Sequence, residues 1–206
     1  MQRRVAVAAA LAAAVAVAGL VVAAGGGGRR LGPQPSTGEV RAVAAGVTIL
    51  PAGRRRELPR FSAATVDGGR LDLASLRGQV LVLNFWAAWC GPCRSEQAGL
   101  EQASRQLAGD GVRFVGVDVR DTRASARAYL REFHVTYPSL FDPSSRLPQL
   151  LGELGPDYPP YTLIVDRQGR VAAVLRGALA GGQGTPAAQA TLLAQVVHDA
   201  TQEPAG

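Results

Sequence analysis

Residues 80–96 read VLVLNFWAAWCGPCRSE, and this stretch decides the fold. Its first seven residues, Val80 to Trp86, are apolar except for one asparagine, which is typical of a strand buried on both faces of a sheet. A helix is predicted from about Pro92 to Leu107, because proline fits the first turn of a helix. The two cysteines of the chain, Cys90 and Cys93, therefore stand between a buried strand and a helix.

Outside this stretch, strand and helix patterns alternate along the chain. We predict a hairpin over 61–73 with its turn at 67–69, a strand over 112–119, a helix over 122–133, a helix capped by Asp142 with Pro143 in its first turn, a hairpin over 161–175 with its turn at 166–169, and a terminal helix over 185–200. This order predicts an α/β domain with a central mixed sheet, helices on both faces and an extra N-terminal β-hairpin.

The spacing of the two cysteines favours redox chemistry over a structural crosslink. A disulfide that closes so short a loop stabilises a fold by only about 2 kcal/mol. At a helix start, unpaired N–H groups and the helix dipole lower the pKa of Cys90 and make it the attacking thiolate. Cys93, one turn further on, is placed to resolve the mixed disulfide. Pro92 presets the first helical turn, and Gly91 leaves the thiol open to a bulky protein partner.

Residues 84–96, read together with the strand before them and the helix after them, resemble the active-site segment of the TlpA/ResA/DsbE group of thioredoxin-like proteins. The resemblance extends from about Phe61 to Ala200. It implies a thioredoxin-like fold and an enzyme, a thiol-disulfide oxidoreductase that works through Cys90 and Cys93. Trp89 is expected at the rim of that active site.

A second segment, Tyr158-Pro159-Pro160-Tyr161, resembles the family segment in which a cis-proline faces the active-site disulfide. On that alignment Pro160 is the cis-proline, whereas Pro159 and Tyr161 replace the residues usual in the family, so partner contacts are expected to differ there. A plain turn proline ahead of a strand is the alternative. We also expect an exposed strand edge here that pairs with extended partner backbone. The predicted substrate-binding residues are Trp89, Gly91, Pro92, Pro159, Pro160 and Tyr161.

Glu96 matches a family glutamate that lies three residues after the second cysteine. That spacing places it on the same face of the helix as Cys93. A carboxyl there is a candidate acid/base for the resolving step, since Asn84 stands where thioredoxin has an aspartate. The alternative is an ordinary acidic residue that interacts with the helix dipole.

The first sixty residues do not have the pattern of a folded domain. Arg3 and Arg4 precede twenty uncharged residues, so 1–24 is predicted to be a signal peptide or an N-terminal membrane anchor. Residues 25–60 are predicted to be a flexible basic linker, 61–201 the thioredoxin-like domain and 202–206 a tail. The expected location is the cell membrane, with the domain on the extracytoplasmic side, or secretion if the segment is cleaved.

Charge is divided unevenly between these parts. Residues 1–60 carry nine arginines and two glutamates, whereas 61–206 carry thirteen arginines and fourteen acidic residues. No aromatic residue is interleaved with the basic run at 54–56, so nucleic-acid binding is not supported. Attraction to anionic lipid head groups or a merely solvated linker explains the run instead.

The leading functional prediction is reduction of disulfides in extracytoplasmic proteins. The family resemblance implies a CcdA/DsbD-type membrane electron donor and apocytochrome c as a candidate substrate. A disulfide-forming oxidant is the alternative, and a Cu(I) carrier is disfavoured because Met1 is the only methionine. No cofactor and no metal are expected, since His134 and His198 lack zinc-ligand spacing and no phosphate loop is present.

Overall fold

The computed structural model describes residues 40–202, except for the side chain of Val43. Within that range the chain forms nine strands and four α-helices. In chain order they are β1 (Arg41–Ala44), β2 (Val47–Ile49), β3 (Ser62–Ala64), β4 (Arg70–Asp72), β5 (Val80–Trp86), α1 (Gly91–Leu107), β6 (Val112–Val119), α2 (Arg123–Glu132), β7 (Ser139–Asp142), α3 (Arg146–Leu151), β8 (Tyr161–Val165), β9 (Val171–Arg176) and α4 (Pro186–Thr201).

Seven of these strands form one mixed sheet in the order β1-β2-β9-β8-β5-β6-β7. Strand β5 lies inside it, parallel to β6 and antiparallel to β8, and all seven of its residues are buried. Strands β3 and β4 pair separately as a two-stranded hairpin. The predicted mixed sheet and the extra hairpin are therefore confirmed.

Side chains alternate across β5, and a separate core forms on each face of the sheet. Val80 and Val82 belong to a core that includes apolar residues of α1 and α4. Leu81, Leu83 and Phe85 belong to the opposite core, which α3 and the hairpin cover. Helices thus cover both faces, as predicted, and the arrangement is a thioredoxin-like fold.

The predicted linker over 25–60 is wrong for residues 41–60. Strand β1 pairs with β2, and β2 pairs with β9, so this segment is part of the main sheet. Val47 and Ile49 are buried in the same core as α4, and the Arg55 guanidinium forms a buried ion pair with Asp166 at 3.0 Å. Strands of three and four residues are too short to produce a recognisable period in sequence.

Several predictions concern residues at the two ends of the chain. The signal peptide or anchor at 1–24, the linker residues 25–39 and most of the tail lie outside the described residues. No helix within residues 40–202 is long and apolar enough to span a bilayer.

The helix predicted to start at Pro143, with Asp142 as its cap, starts three residues later. Asp142 is the last residue of β7, and α3 begins at Arg146. The Asp142 carboxylate nevertheless accepts hydrogen bonds from the backbone N–H groups of Arg146 and Leu147, at 2.9 and 2.8 Å. It satisfies the first turn of α3 from outside the helix, because Ser145 adopts a left-handed conformation between them.

Candidate active site

The two cysteines lie where β5 gives way to α1. Cys90 is the residue just before the helix, and a disulfide joins it to Cys93. Its Sγ accepts a hydrogen bond from the backbone N–H of Cys93 at 3.2 Å. Once the bond is reduced, that N–H and the helix dipole stabilise a thiolate on Cys90.

Exposure differs little between the two sulfur-bearing residues. Cys90 is 3% exposed and Cys93 1%. Around them Trp89, Gly91 and Pro92 are exposed, and a side chain on Gly91 would meet nothing within 4 Å. A partner therefore reaches the disulfide through these three residues rather than at a protruding cysteine.

An exposed aromatic pair lies beside this opening. Trp89 is 55% exposed, and its indole Nε1 donates to the backbone oxygen of Arg120 at 3.0 Å. The Arg120 guanidinium lies 5.4 Å from the centre of the Tyr158 ring, which is 72% exposed. We call Trp89, Arg120 and Tyr158 the aromatic rim. Arg120 was not predicted, because nothing local in the sequence marks it as a neighbour of Trp89.

The proline segment enters the sheet at the same end. The Pro159–Pro160 peptide bond is cis, as predicted for Pro160. Tyr161 pairs with Phe85 near the end of β5, so Pro160 lies at the end of the sheet where the loop to Cys90 begins. Pro159 is half-buried and Pro160 is buried.

The side chain of Tyr161 is not available to a partner, contrary to the prediction. It is 3% exposed, its ring packs edge-to-face against Phe85 at 6.1 Å, and its hydroxyl donates to the backbone oxygen of Leu154. The predicted exposed strand edge is also wrong, because β8 is paired on one side with β5 and on the other with β9. The backbone oxygen of Pro160 also accepts from the N–H of Gly177, so next to the disulfide the backbone left for a partner lies in the loop before Pro160.

Glu96 is buried beneath the start of α1, with 1% of its surface exposed. Its Oε1 accepts from the amide of Asn84 at 3.0 Å, and its Oε2 accepts from the backbone N–H of Leu179 at 2.7 Å. Burial raises the pKa of Glu96 to about 7, although both hydrogen bonds act to lower it. Glu96 is therefore not an exposed acid, and its carboxyl gains and loses a proton near neutral pH.

Asn84 fixes the position of that carboxyl. Its amide nitrogen also donates to Thr162 Oγ1 at 3.0 Å, so β5 and β8 together orient the Glu96 side chain. The partners of Asn84 and Glu96 come from distant parts of the chain. The sequence predicted the residue but not this network.

Comparison with known proteins agrees with this geometry. The AhpC/TSA family matches residues 55–174, more than half of the chain. The chain belongs to the AhpC/TSA family. Thiol-disulfide oxidoreductase ResA from Bacillus subtilis is 27% identical over 138 residues, which are 67% of this chain and 74% of that protein.

Solved structures extend the agreement within the AhpC/TSA family. A DsbF homologue from Corynebacterium diphtheriae superposes with a TM-score of 0.64 at 27% identity, covering 81% of this chain and 96% of that one. A secreted thiol-disulfide isomerase from Corynebacterium glutamicum gives a TM-score of 0.60 at 28% identity, covering 69% of this chain and 84% of that one. The resemblance to the TlpA/ResA/DsbE group is confirmed. This member of the AhpC/TSA family is a thiol-disulfide oxidoreductase.

Helix α2 supports the active site of this AhpC/TSA protein from the other side. The Tyr129 hydroxyl lies 3.0 Å from the backbone oxygen of Cys93 and 3.2 Å from Gln97 Oε1. Its ring stacks on Trp86, with 4.4 Å between ring centres. Tyr129 therefore fixes the first turn of α1 and the end of β5 relative to each other. Its helical position resembled that of any core residue, so the sequence did not reveal this contact.

The histidines considered as zinc ligands lie on separate elements. His134 follows α2, and His198 is in α4. Over residues 40–202 no group of three or more His, Cys, Asp or Glu side chains is arranged to hold a metal ion.

Proposed function

We propose that the protein reduces disulfide bonds in extracytoplasmic proteins. The observation that carries this proposal is the buried Glu96 carboxyl, one helical turn from Cys93, with a pKa of about 7. Such a group accepts the proton of a resolving thiol at neutral pH. Gly91 and Pro92 between the cysteines also resemble the dipeptide of reductants more than that of strong oxidants.

The reduced enzyme then acts in two steps. The Cys90 thiolate attacks one sulfur of the substrate disulfide, forming a mixed disulfide and releasing the other substrate sulfur as a thiolate that takes a proton. Glu96 accepts the proton of Cys93, whose thiolate attacks Sγ of Cys90. The second substrate sulfur leaves and is protonated. The substrate disulfide gains two electrons and two protons, and the enzyme dithiol becomes the Cys90–Cys93 disulfide.

The partner surface consists of the opening around the disulfide and the loop before β8. Trp89, Gly91, Pro92 and Pro159 are at least partly exposed there, and Pro160 fixes the loop. The aromatic rim adds Arg120 and Tyr158, whose guanidinium and ring are in cation–π contact at 5.4 Å. Large rigid aromatic side chains bury much area at little entropic cost, which suits recognition of unfolded segments.

Continued turnover requires a source of electrons outside the cytosol. A CcdA/DsbD-type membrane protein would re-reduce the Cys90–Cys93 disulfide, as the family resemblance implies. The charged start and apolar run of residues 1–24 favour a membrane-anchored or secreted protein, and similarity to a secreted isomerase supports that location. Apocytochrome c, whose C-x-x-C-H motif must be reduced before haem attachment, is the proposed substrate.

The reduction potential of the purified protein tests the direction of the reaction. We expect a value near or below about −230 mV by equilibration with glutathione or dithiothreitol. A value near that of the oxidant DsbA, about −120 mV, would contradict the proposal and favour a disulfide-forming oxidant. For the substrate, a C-x-x-C-H peptide disulfide should be reduced faster than a control peptide with the histidine replaced by alanine and the same ring size.

A further inference from the structure

Asp118 is a buried carboxyl for which the proposed mechanism has no use. It lies near the end of β6 with 0% of its surface exposed. Neither of its two oxygens accepts from a donor in the described part of the chain, and the side chain beside them is another carboxyl, Asp121, with which Asp118 can share a hydrogen bond only while one of the two is protonated. An ionised carboxylate without donors is costly in such a position, so a proton is favoured on Asp118.

The groups around Asp118 come from three elements. Asp121 follows on the same segment, Arg123 lies at the start of α2, and Asp142 ends β7. Burial is the main cause that raises the pKa of Asp118, to about 8, followed by the negative charge of Asp121; Asp142 adds to the rise, and Arg123 opposes it. The Arg123 guanidinium is engaged elsewhere, since it donates to the backbone oxygens of Thr65 and Val66.

Residues 120 and 121, which follow Asp118 closely in the chain, form hydrogen bonds with the loop that leads to Cys90. Asp121 Oδ2 accepts a hydrogen bond of 2.6 Å from the backbone N–H of Ala88. The backbone oxygen of Arg120 accepts from the Trp89 indole. These two hydrogen bonds hold Ala88 and Trp89, the two residues just before Cys90. Of the two acceptors, only the Asp121 carboxylate is an ionisable side chain. Asp121 is half-buried, so it has access to water that Asp118 lacks.

We propose that Asp118, in its neutral form, is a positioning residue for the active-site loop Ala88–Cys90. While Asp118 carries a proton, no second negative charge lies directly beside Asp121, and Asp121 keeps its hydrogen bond to Ala88. When Asp118 ionises, two adjacent carboxylates repel each other. Asp121 moves toward solvent because it is the less buried of the two, and it releases Ala88. The effect on catalysis rests on the proposed function, whereas the link between Asp118 and Ala88 does not.

Carbon-detected NMR of the oxidised protein tests this link, because a disulfide does not titrate. The Glu96→Gln background removes the other buried carboxyl near the site. Between about pH 5 and pH 10 we follow the side-chain carboxyl carbons of Asp118 and Asp121 and the backbone nitrogen of Ala88. We expect one transition near pH 8 shared by all three signals.

Two variants and a control sharpen the result. Asp118→Asn should abolish the transition at Ala88. Asp121→Asn should move the Asp118 midpoint to lower pH, since it removes the neighbouring charge while its side-chain oxygen still accepts from Ala88. Asp110→Asn, an exposed acid before β6, should leave all three signals unchanged.

The proposal is overturned if Ala88 shows no transition with Asp118, or if the transition persists in Asp118→Asn. If Asp118→Asn does not fold, the Glu96→Gln and Asp121→Asn titrations decide the question.

The rate of disulfide exchange of the otherwise wild-type enzyme should lose a component near pH 8 in Asp118→Asn. An unchanged pH profile would overturn the catalytic role. Absence of any protein disulfide reduction would instead refute the proposed function and leave the NMR result standing.

Discussion

Glu96 and Asp118 are two almost fully buried carboxyls near the same active site, and their surroundings differ. Glu96 accepts hydrogen bonds from Asn84 and Leu179, whereas Asp118 lies beside a second carboxyl, Asp121, and accepts from no donor among the described residues. Burial favours the protonated form of both. Ionised Glu96 keeps both of its donors, whereas ionisation of Asp118 removes the proton between two carboxyls and makes them repel each other.

Replacement of the resolving thiol should distinguish the role of Glu96 from the role of Asp118 most clearly. In Cys93→Ser, mixed disulfides through Cys90 should accumulate, because no thiol remains to release them. Glu96→Gln added to this background should not change the rate of adduct formation, since the proton it accepts is gone, whereas Asp118→Asn should still change the pH dependence. Timed non-reducing gels with a disulfide-containing substrate measure both rates.

Cys90→Ser is the matched control for that experiment and should form no adduct. Equal adduct patterns in Cys90→Ser and Cys93→Ser would refute the assignment of the attacking thiol. An effect of Glu96→Gln on adduct formation would place Glu96 in the first step instead of the second.

In the enzyme with both thiols, Glu96→Gln should slow single-turnover exchange about 10²-fold at neutral pH, as expected when a general base is removed. The carboxylate is the active form, so the wild-type rate should rise as pH passes about 7, and that rise should disappear in the variant. Asp118→Asn should slow exchange by less than about tenfold at pH 7, where Asp118 is already neutral. Stopped-flow measurements across this range check both, and equal losses in the two variants would contradict the distinction.

Stability should depend on pH through both carboxyls. The pKa of Glu96 rises from 4.5 to about 7 on folding, so the folded protein binds the extra proton. Its stabilising contribution is complete below pH 4.5 and is lost as pH rises through about 7, a change of about 3 kcal/mol. Glu96→Gln should remove that loss, and Asp118→Asn should remove a larger one that continues to about pH 8, because the pKa of Asp118 rises further on folding, from 3.8 to about 8.

Urea unfolding at a series of pH values measures these differences, with Asp110→Asn as an exposed-acid control. Curves for wild type and Glu96→Gln that run parallel from pH 4 to pH 8 would show that burial does not shift this carboxyl.

The smallest effect concerns alkylation. In the reduced protein Cys90 should react with iodoacetamide before Cys93, because its sulfur lies beside the open Gly91 and at the helix start. Asp118→Asn should alter only the rate at Cys90, and only above about pH 8, whereas Glu96→Gln should alter the rate at Cys93. Mass spectrometry of briefly labelled protein distinguishes the two sites, and earlier labelling of Cys93 would be the contrary result.

The elements that carry a strong local pattern were predictable from sequence. Val80–Trp86 is a continuous apolar run followed by Cys90 and a helix-start proline, and each local signal agrees with the final fold. The hairpin turn at 67–69 is likewise marked by its own residues. Strands β1 and β2 were not predictable, since their stability comes from pairing with β9 rather than from a period of their own.

In the candidate active site, too, local spacing was predictable from sequence, whereas contacts with distant residues were not. Spacing alone placed Glu96 on the side of Cys93, but its burial depends on Asn84 and Leu179, which are 12 and 83 residues away. Asp118 interrupts an apolar strand and could have been noticed, yet its lack of donors is a property of the packed structure. Tyr161 was misassigned because a partner-facing and a core-facing tyrosine look alike beside a proline.

The two edges of the main sheet affect the tendency of the protein to aggregate with other chains. Strand β1 is four residues long, is irregular between Ala42 and Ala44, and has Arg41 tied to Asp199. Short, irregular, charged edge strands resist pairing with foreign chains.

The opposite margin is covered by the chain itself. Thr65 bridges to Leu140 of β7, and the backbone N–H of Val66 donates to the oxygen of Ser139. Both flanks of this sheet are therefore protected against pairing with other chains. On the proposed function, polypeptide substrates would meet the loop before β8, beside the disulfide, instead of an open sheet edge.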